Sequence, residues 1–65
     1  MTVTVNGRAT EVPAGCTYEQ LIGVLDLPRT GIAIAAGGAV VPRSRWDDEV
    51  TAGADIEILT AVQGG

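Results

Sequence analysis

The sequence predicts a small two-layer α+β domain in which one main helix packs on a mixed sheet of four to five strands. Three observations predict it. Runs alternating between apolar and polar residues open and close the chain, at 1–6 and 55–62. One stretch, 17–25, carries apolar residues at helical spacing. Turn signals at Asn6-Gly7, Pro13-Ala14-Gly15, Pro28 and Gly37-Gly38 divide the rest into short segments. With 65 residues the chain accommodates one domain, spanning 1–65. A domain of this size buries only about 60 % of its unfolded surface, so every core position counts.

Each element follows in order. In 1–6, Met1, Val3 and Val5 alternate with threonines, the pattern of a half-buried strand. Asn6-Gly7 suits a type I′ turn, whose two central residues need positive φ. A return strand over 8–12 then places Val5 opposite Arg8, Val3 opposite Thr10 and Met1 opposite Val12. Thr17 fits a helix N-cap, and Gln20 three residues later completes a capping box. Cys16 and Leu21 occupy the positions of a hydrophobic staple. Tyr18, Leu21, Ile22 and Leu25 form one apolar stripe, Gly23 falls on the far side, and Pro28 ends the helix by Asp26 or Leu27.

The apolar run GIAIAA at 31–36 reads as a central strand covered or closely approached on both faces, with Ile32 and Ile34 on one side and alanines on the other. Gly37-Gly38 turns it into a short partner at 39–41, ended by Pro42. Residues 43–54 are irregular, with Trp46 as the one large apolar anchor. The last strand sets Ile56, Ile58 and Val62 against Glu57, Leu59 and Ala61. In a mixed sheet the first and last strands pair in parallel.

Composition narrows the function. Eight acids against four arginines leave a net charge of −4, with no lysine, no histidine and a single cysteine. Disulfide frameworks and zinc-finger spacings are excluded. A basic stripe for phosphates is missing and only two aromatics are present, which argues against nucleic acid. No apolar run approaches the ~18 residues of a membrane span, and one free thiol suits a soluble, cytoplasmic protein. The acidic balance fits a protein partner with a basic docking face.

Individual candidates read as follows. Cys16 has no histidine to activate it and reads as a small structural side chain. Asp47, Asp48 and Glu49 read as a solvated face, since adjacent residues point in different directions, and no metal site is expected. Trp46, beside Arg43 and Arg45, reads as packing over the end of the core. Leu59 and Ala61 face outward if Ile58 and Val62 face the helix. They form either a partner-docking patch or scattered surface apolar residues.

The ending TAVQGG is the least expected feature, because glycines pack nothing and lose the most backbone entropy on ordering. Here a resemblance helps. The stretches TVTVNGR, PAGCT with its helix, AVVPRSRW and TAGADIEILTAVQGG together resemble the ThiS family of thiamine-biosynthesis sulfur carriers, across nearly the whole chain. AAGGAVVPRS departs from the polar Asn-Gly turn common in that family, and Ala54 interrupts its usual Gly-Asp. The resemblance implies the ubiquitin-like β-grasp fold, a flexible tail at 63–65, and no catalytic residue or bound cofactor of the chain's own. It implies that Gly65 is adenylated by an E1-like, ThiF-like enzyme consuming ATP. A persulfide donor then converts it to a thiocarboxylate used by the thiazole synthase ThiG. Gly64 and Gln63 would supply access to a narrow partner channel, the last three residues reaching roughly 10 Å when extended. Alternatives are the small subunit of molybdopterin synthase, a carrier for another pathway, a ubiquitin-like protein modifier and an inert interaction domain.

Overall fold

Asn6 and Gly7 have φ of 51° and 81°, the two left-handed positions of a type I′ turn. This turn joins β1 (Thr2–Val5) to β2 (Arg8–Glu11) in the expected register, with Val5 opposite Arg8 and Val3 opposite Thr10. Met1 and Val12 continue the pairing, each donating its backbone nitrogen to the other's carbonyl, at 2.7 and 2.8 Å. The computed structural model describes residues 1–60.

The helix α1 (Tyr18–Val24) starts at Thr17 with both halves of the capping box formed. The Gln20 amide donates to Thr17 Oγ1 at 3.1 Å, and the Thr17 amide donates to Gln20 Oε1 at 2.9 Å. The remaining free amides of the first turn find partners outside the helix. Tyr18 N donates to the Asp48 carbonyl and Glu19 N to that of Trp46. Such satisfaction lets a two-turn helix persist, because its ends would otherwise leave most of its backbone groups unpaired.

At its other end the helix stops one turn before Pro28. Leu27 N donates to the Ile22 carbonyl and Asp26 N to that of Gly23, the paired bonds of a Schellman motif. The left-handed residue this motif requires is Asp26, at φ 56°, where glycine is usual. Its carboxylate also sits at the negative end of the helix dipole. The left-handed conformation costs an L-residue about 1 kcal/mol or more, offset in part by the greater freedom glycine has when unfolded. Asp26→Gly is therefore expected to stabilise the fold by about 0.5–1 kcal/mol, read as a shift of the urea midpoint at constant slope.

Strands β3 (Ile32–Ala36) and β4 (Ala39–Val41) form a second hairpin about Gly37 and Gly38, at φ 58° and 83°. A 3-10 turn at Arg43–Arg45 follows, and the chain returns as β5 (Asp55–Thr60). The sheet order is β2-β1-β5-β3-β4. β5 lies at the centre, parallel to β1 and antiparallel to β3, and the other two pairings are antiparallel. Val62 and Ala61, expected at the end of this strand, lie outside the described residues.

One face of the sheet carries Val3, Val5, Ile34, Ile56 and Ile58 onto Tyr18, Leu21 and Ile22 of α1. Val12, Cys16, Trp46 and Val50 close the end of this core. Cys16 and Leu21 are both buried, as the staple requires, and Gly23 is exposed. No polar side chain is buried among the described residues. Two details differ from expectation. β3 is flanked by strands on both edges, yet its alanine face stays open: Ala33 is exposed and Ala35 half-buried. The segment 43–54 is also more tightly tied than an irregular loop implies. Val50 is a second buried anchor beside Trp46; its amide donates to the Cys16 carbonyl at 2.7 Å, and Glu49 bridges to Thr17.

Candidate functional site

The face of the sheet opposite the helix is defined by the pairing register. Thr2 and Thr4 stand on β1, Ala9 and Glu11 on β2, Asp55, Glu57 and Leu59 on β5, Ala33 and Ala35 on β3, and Val40 on β4. Leu59 is 67 % exposed and Val40 75 %, which makes them the two most exposed large apolar side chains described. They flank Ala33 and Ala35, so these four residues form one apolar patch rather than scattered positions. Its small residues make it shallow, and its size sits well within what a protein surface can expose.

The charges around the patch have one sign. Glu57 adjoins it on β5, with Asp55 and Glu11 further out, whereas Arg8 pairs with Val5 and so stands on the helix side. The other arginines are engaged by other groups. Arg29 pairs with Glu19 at 2.9 Å and Arg45 with Asp48 at 2.8 Å. Arg43 lies over the Trp46 ring, 4.6 Å from its centroid, and donates to the Arg29 carbonyl. Hydrogen bonding to Asp48 raises the pKa of Arg45 further above its ordinary value. An acidic rim about an apolar patch suits a partner with basic residues around an apolar contact.

Trp46 is buried, and its indole N–H donates to the Val41 carbonyl at 3.2 Å, which makes it a packing residue over the core end. Cys16 is buried, with its thiol donating to the Thr17 carbonyl at 3.3 Å, and burial pushes its pKa up. A raised pKa keeps the thiol protonated and poorly nucleophilic at neutral pH. Among the described residues no cluster of acids or thiols could hold a metal ion, and no helix is long and apolar enough to cross a membrane. A surface hollow lies on the helix side, between the β1–β2 hairpin and the helix end, lined by Asn6, Arg8, Leu25, Leu27, Ile58 and Thr60 among others.

The central strand β5 thus connects core, outer patch and chain end. Ile56 and Ile58 are buried against the helix while Leu59 faces out one residue later. Gly65, Gly64, Gln63 and Ala61, the remaining candidate residues, lie outside the described residues. The ThiS family matches residues 3–65, through both terminal glycines. The chain belongs to the ThiS family. Its whole length is 31 % identical, over 65 residues, to the sulfur carrier protein ThiS of Escherichia coli, covering 98 % of that protein. It is also similar to the crystal structure of the thiamine biosynthesis protein ThiS from Geobacter metallireducens. That likeness has a TM-score of 0.80 at 26 % identity and covers all of both chains. The solution structure of a Geobacter metallireducens thiamine biosynthesis protein gives a TM-score of 0.79 at 26 % identity, covering this chain fully and 88 % of the other. The five-stranded mixed sheet and single helix of this ThiS-family chain are accordingly a β-grasp, as its sequence implies.

Sequence reasoning found Leu59 but passed over its neighbours. Val40 lies in a three-residue strand too short to display alternation, and Ala33 and Ala35 read as buried. Only the register of β3 with β4 and β5 brings the four together.

Proposed function

We propose that this chain carries sulfur for thiazole formation in thiamine biosynthesis, on a thiocarboxylate at Gly65. A free carboxylate is a poor electrophile, so it must first be activated. A ThiF-like enzyme transfers AMP from ATP to the Gly65 carboxylate and releases pyrophosphate. Sulfide attacking the carbonyl then expels AMP and leaves –C(=O)–S⁻ directly. With a persulfide donor, the terminal sulfur makes the attack, and a thiol must afterwards reduce the resulting acyl disulfide. The thiazole synthase ThiG receives the sulfur. The chain itself is a co-substrate, and the catalytic groups and the ATP site belong to its partners.

The observation that carries this reading is the family match running to Gly65, which places Gly64 and Gly65 inside the matched region. Glycines suit the chemistry physically. Without Cβ atoms they pass a narrow channel, and they accept φ of either sign once inside. In this reading 1–65 acts as a single unit, with 1–60 docking outside the partner and Gln63, Gly64 and Gly65 entering it. The patch of Leu59, Val40 and the β3 alanines is the docking surface, Ala61 takes part in the same contact, and the acidic rim faces basic residues of the activating enzyme.

The test is the intact mass after incubation with ATP, sulfide and a ThiF-like enzyme. A gain equal to exchanging one oxygen for sulfur, localised to Gly65, is expected. A protein that stays unmodified beside an active enzyme and a working control carrier rejects the assignment. The docking surface has its own test. Leu59→Arg should weaken binding to the activating enzyme by about tenfold or more, through lost apolar contact and like-charge repulsion. Thermal unfolding of that variant should shift little, since the side chain is 67 % exposed.

A further inference from the structure

Asn6 has two separable roles. Its backbone supplies the first left-handed position of the β1–β2 turn. That geometry does not need its side chain, which instead reaches Ile58, 52 residues further along the chain. Nδ2 donates to the Ile58 carbonyl at 3.1 Å, and the Ile58 amide donates to Oδ1 at 2.9 Å. The backbone ladder between β1 and β5 runs from Thr4 N to Ala54 O and from Asn6 N to Ile56 O, both at 2.9 Å, and the last register pair is Val5 with Ile56. A carboxamide carries the same donor and acceptor as a peptide group. The Asn6 side chain therefore adds one further rung after β1 has turned away.

This rung falls where the central strand approaches its end. On the opposite edge β3 holds the same stretch, pairing Ile34 with Ile58 and Ile32 with Thr60. With the Asn6 clamp, β5 is gripped on both edges at Ile58; without it, β3 alone determines the strand's direction there. We propose that Asn6 is a positioning residue for sulfur loading, fixing the direction in which β5 delivers the following residues to the activating enzyme. The proposal rests on Gly65 being the loaded residue. The outer patch is untouched by the clamp, so docking uses the outer face of β5 and tail delivery its edge toward β1.

The experiment compares full-length wild type, N6G and N6D. N6G keeps a residue suited to positive φ and removes the carboxamide; N6D keeps the acceptor and replaces the donor with a second oxygen. In N6G, protection of the Ile58 amide against hydrogen exchange should fall by about tenfold relative to buried amides of β3. The kcat for acyl-adenylate formation with a ThiF-like enzyme and ATP should fall about fivefold, with KM for the carrier within about twofold, because docking is intact and productive delivery is rarer. N6D should be impaired at neutral pH and regain Ile58 protection near pH 4, roughly where its carboxyl protonates and can donate again. A merely structural residue would alter stability without lowering the kcat of the folded variant. Folded N6G with wild-type kcat, or with unaltered Ile58 protection, overturns the proposal. If N6G does not fold, N6D carries the same comparison. A wild-type chain that is never adenylated rejects the functional reading instead, whatever Ile58 protection shows, so the two failures are distinct.

Discussion

Ile56→Ala is expected to destabilise the domain by about 3 kcal/mol, within the usual range of about 2–5 for such truncations of a fully buried isoleucine. Ile56 has no exposed surface and sits on the central strand, beside Val5 of β1 on one edge and Ala36 of β3 on the other. Deleting its outer atoms leaves a cavity among the buried side chains of sheet and helix, which can collapse only in part. A domain of 65 residues has only about 3–10 kcal/mol of total stability to lose. The variant should therefore keep only about 0–7 kcal/mol, read as a large fall in the urea midpoint followed by far-ultraviolet circular dichroism. Ile56→Val should cost about 1 kcal/mol, and Leu59→Ala, on the outer face of the same strand, under about 0.5 kcal/mol. Equal losses from Ile56→Ala and Leu59→Ala would mean the two faces of β5 are wrongly assigned.

Deletion of Gly65 should have the opposite profile, with complete loss of sulfur loading and no loss of stability. Among the described residues the buried core runs from Val3 to Ile58, and a glycine has no side chain to contribute apolar burial. Removing Gly65 withdraws the carboxylate to Gly64 and shortens the reach of the chain by roughly 3.3 Å. Displacement on that scale is large compared with the tolerance of an in-line attack, for which misplacement by about 1 Å can cost two orders of magnitude. The readouts are the intact mass after incubation with ATP, sulfide and the activating enzyme, and the urea midpoint of the same sample. Loading that survives the deletion would show that Gly65 does not carry the sulfur.

These two variants separate what holds the molecule together from what it is used for. The boundary falls between Ile58, buried among apolar side chains, and Leu59, exposed beside Val40. Asn6 is the one described side chain that hydrogen-bonds to this boundary from a distant part of the chain, and its effects should bridge the two profiles.

Local chemistry determined much of this protein in advance. The Asn6-Gly7 turn set the β1–β2 register because a two-residue type I′ loop leaves one way to pair the flanking strands. Thr17 and Gln20 marked the helix start because each satisfies a backbone amide that the helix cannot. The spacing of Tyr18, Leu21 and Ile22 chose the buried side of that helix. All of these signals act within a few residues.

Tertiary structure decided what depends on distant pairing. Insertion of β5 between β1 and β3 created the central strand, exposed the alanine face of β3, and gathered Ala33, Ala35, Val40 and Leu59 into one patch. It also gave Asn6 a partner 52 residues away, although the sequence marks that residue only as a turn former. Val50 escaped notice because a lone valine in an irregular segment has no period to reveal it, and its burial follows from the backbone bond to Cys16. Asp26 accepts a left-handed conformation that its sequence context does not favour, because the paired bonds to Ile22 and Gly23 and the packing of Leu27 outweigh the local cost. Periodicity and capping are properties of neighbours along the chain, whereas strand order is chosen by how much apolar surface the whole arrangement removes from water.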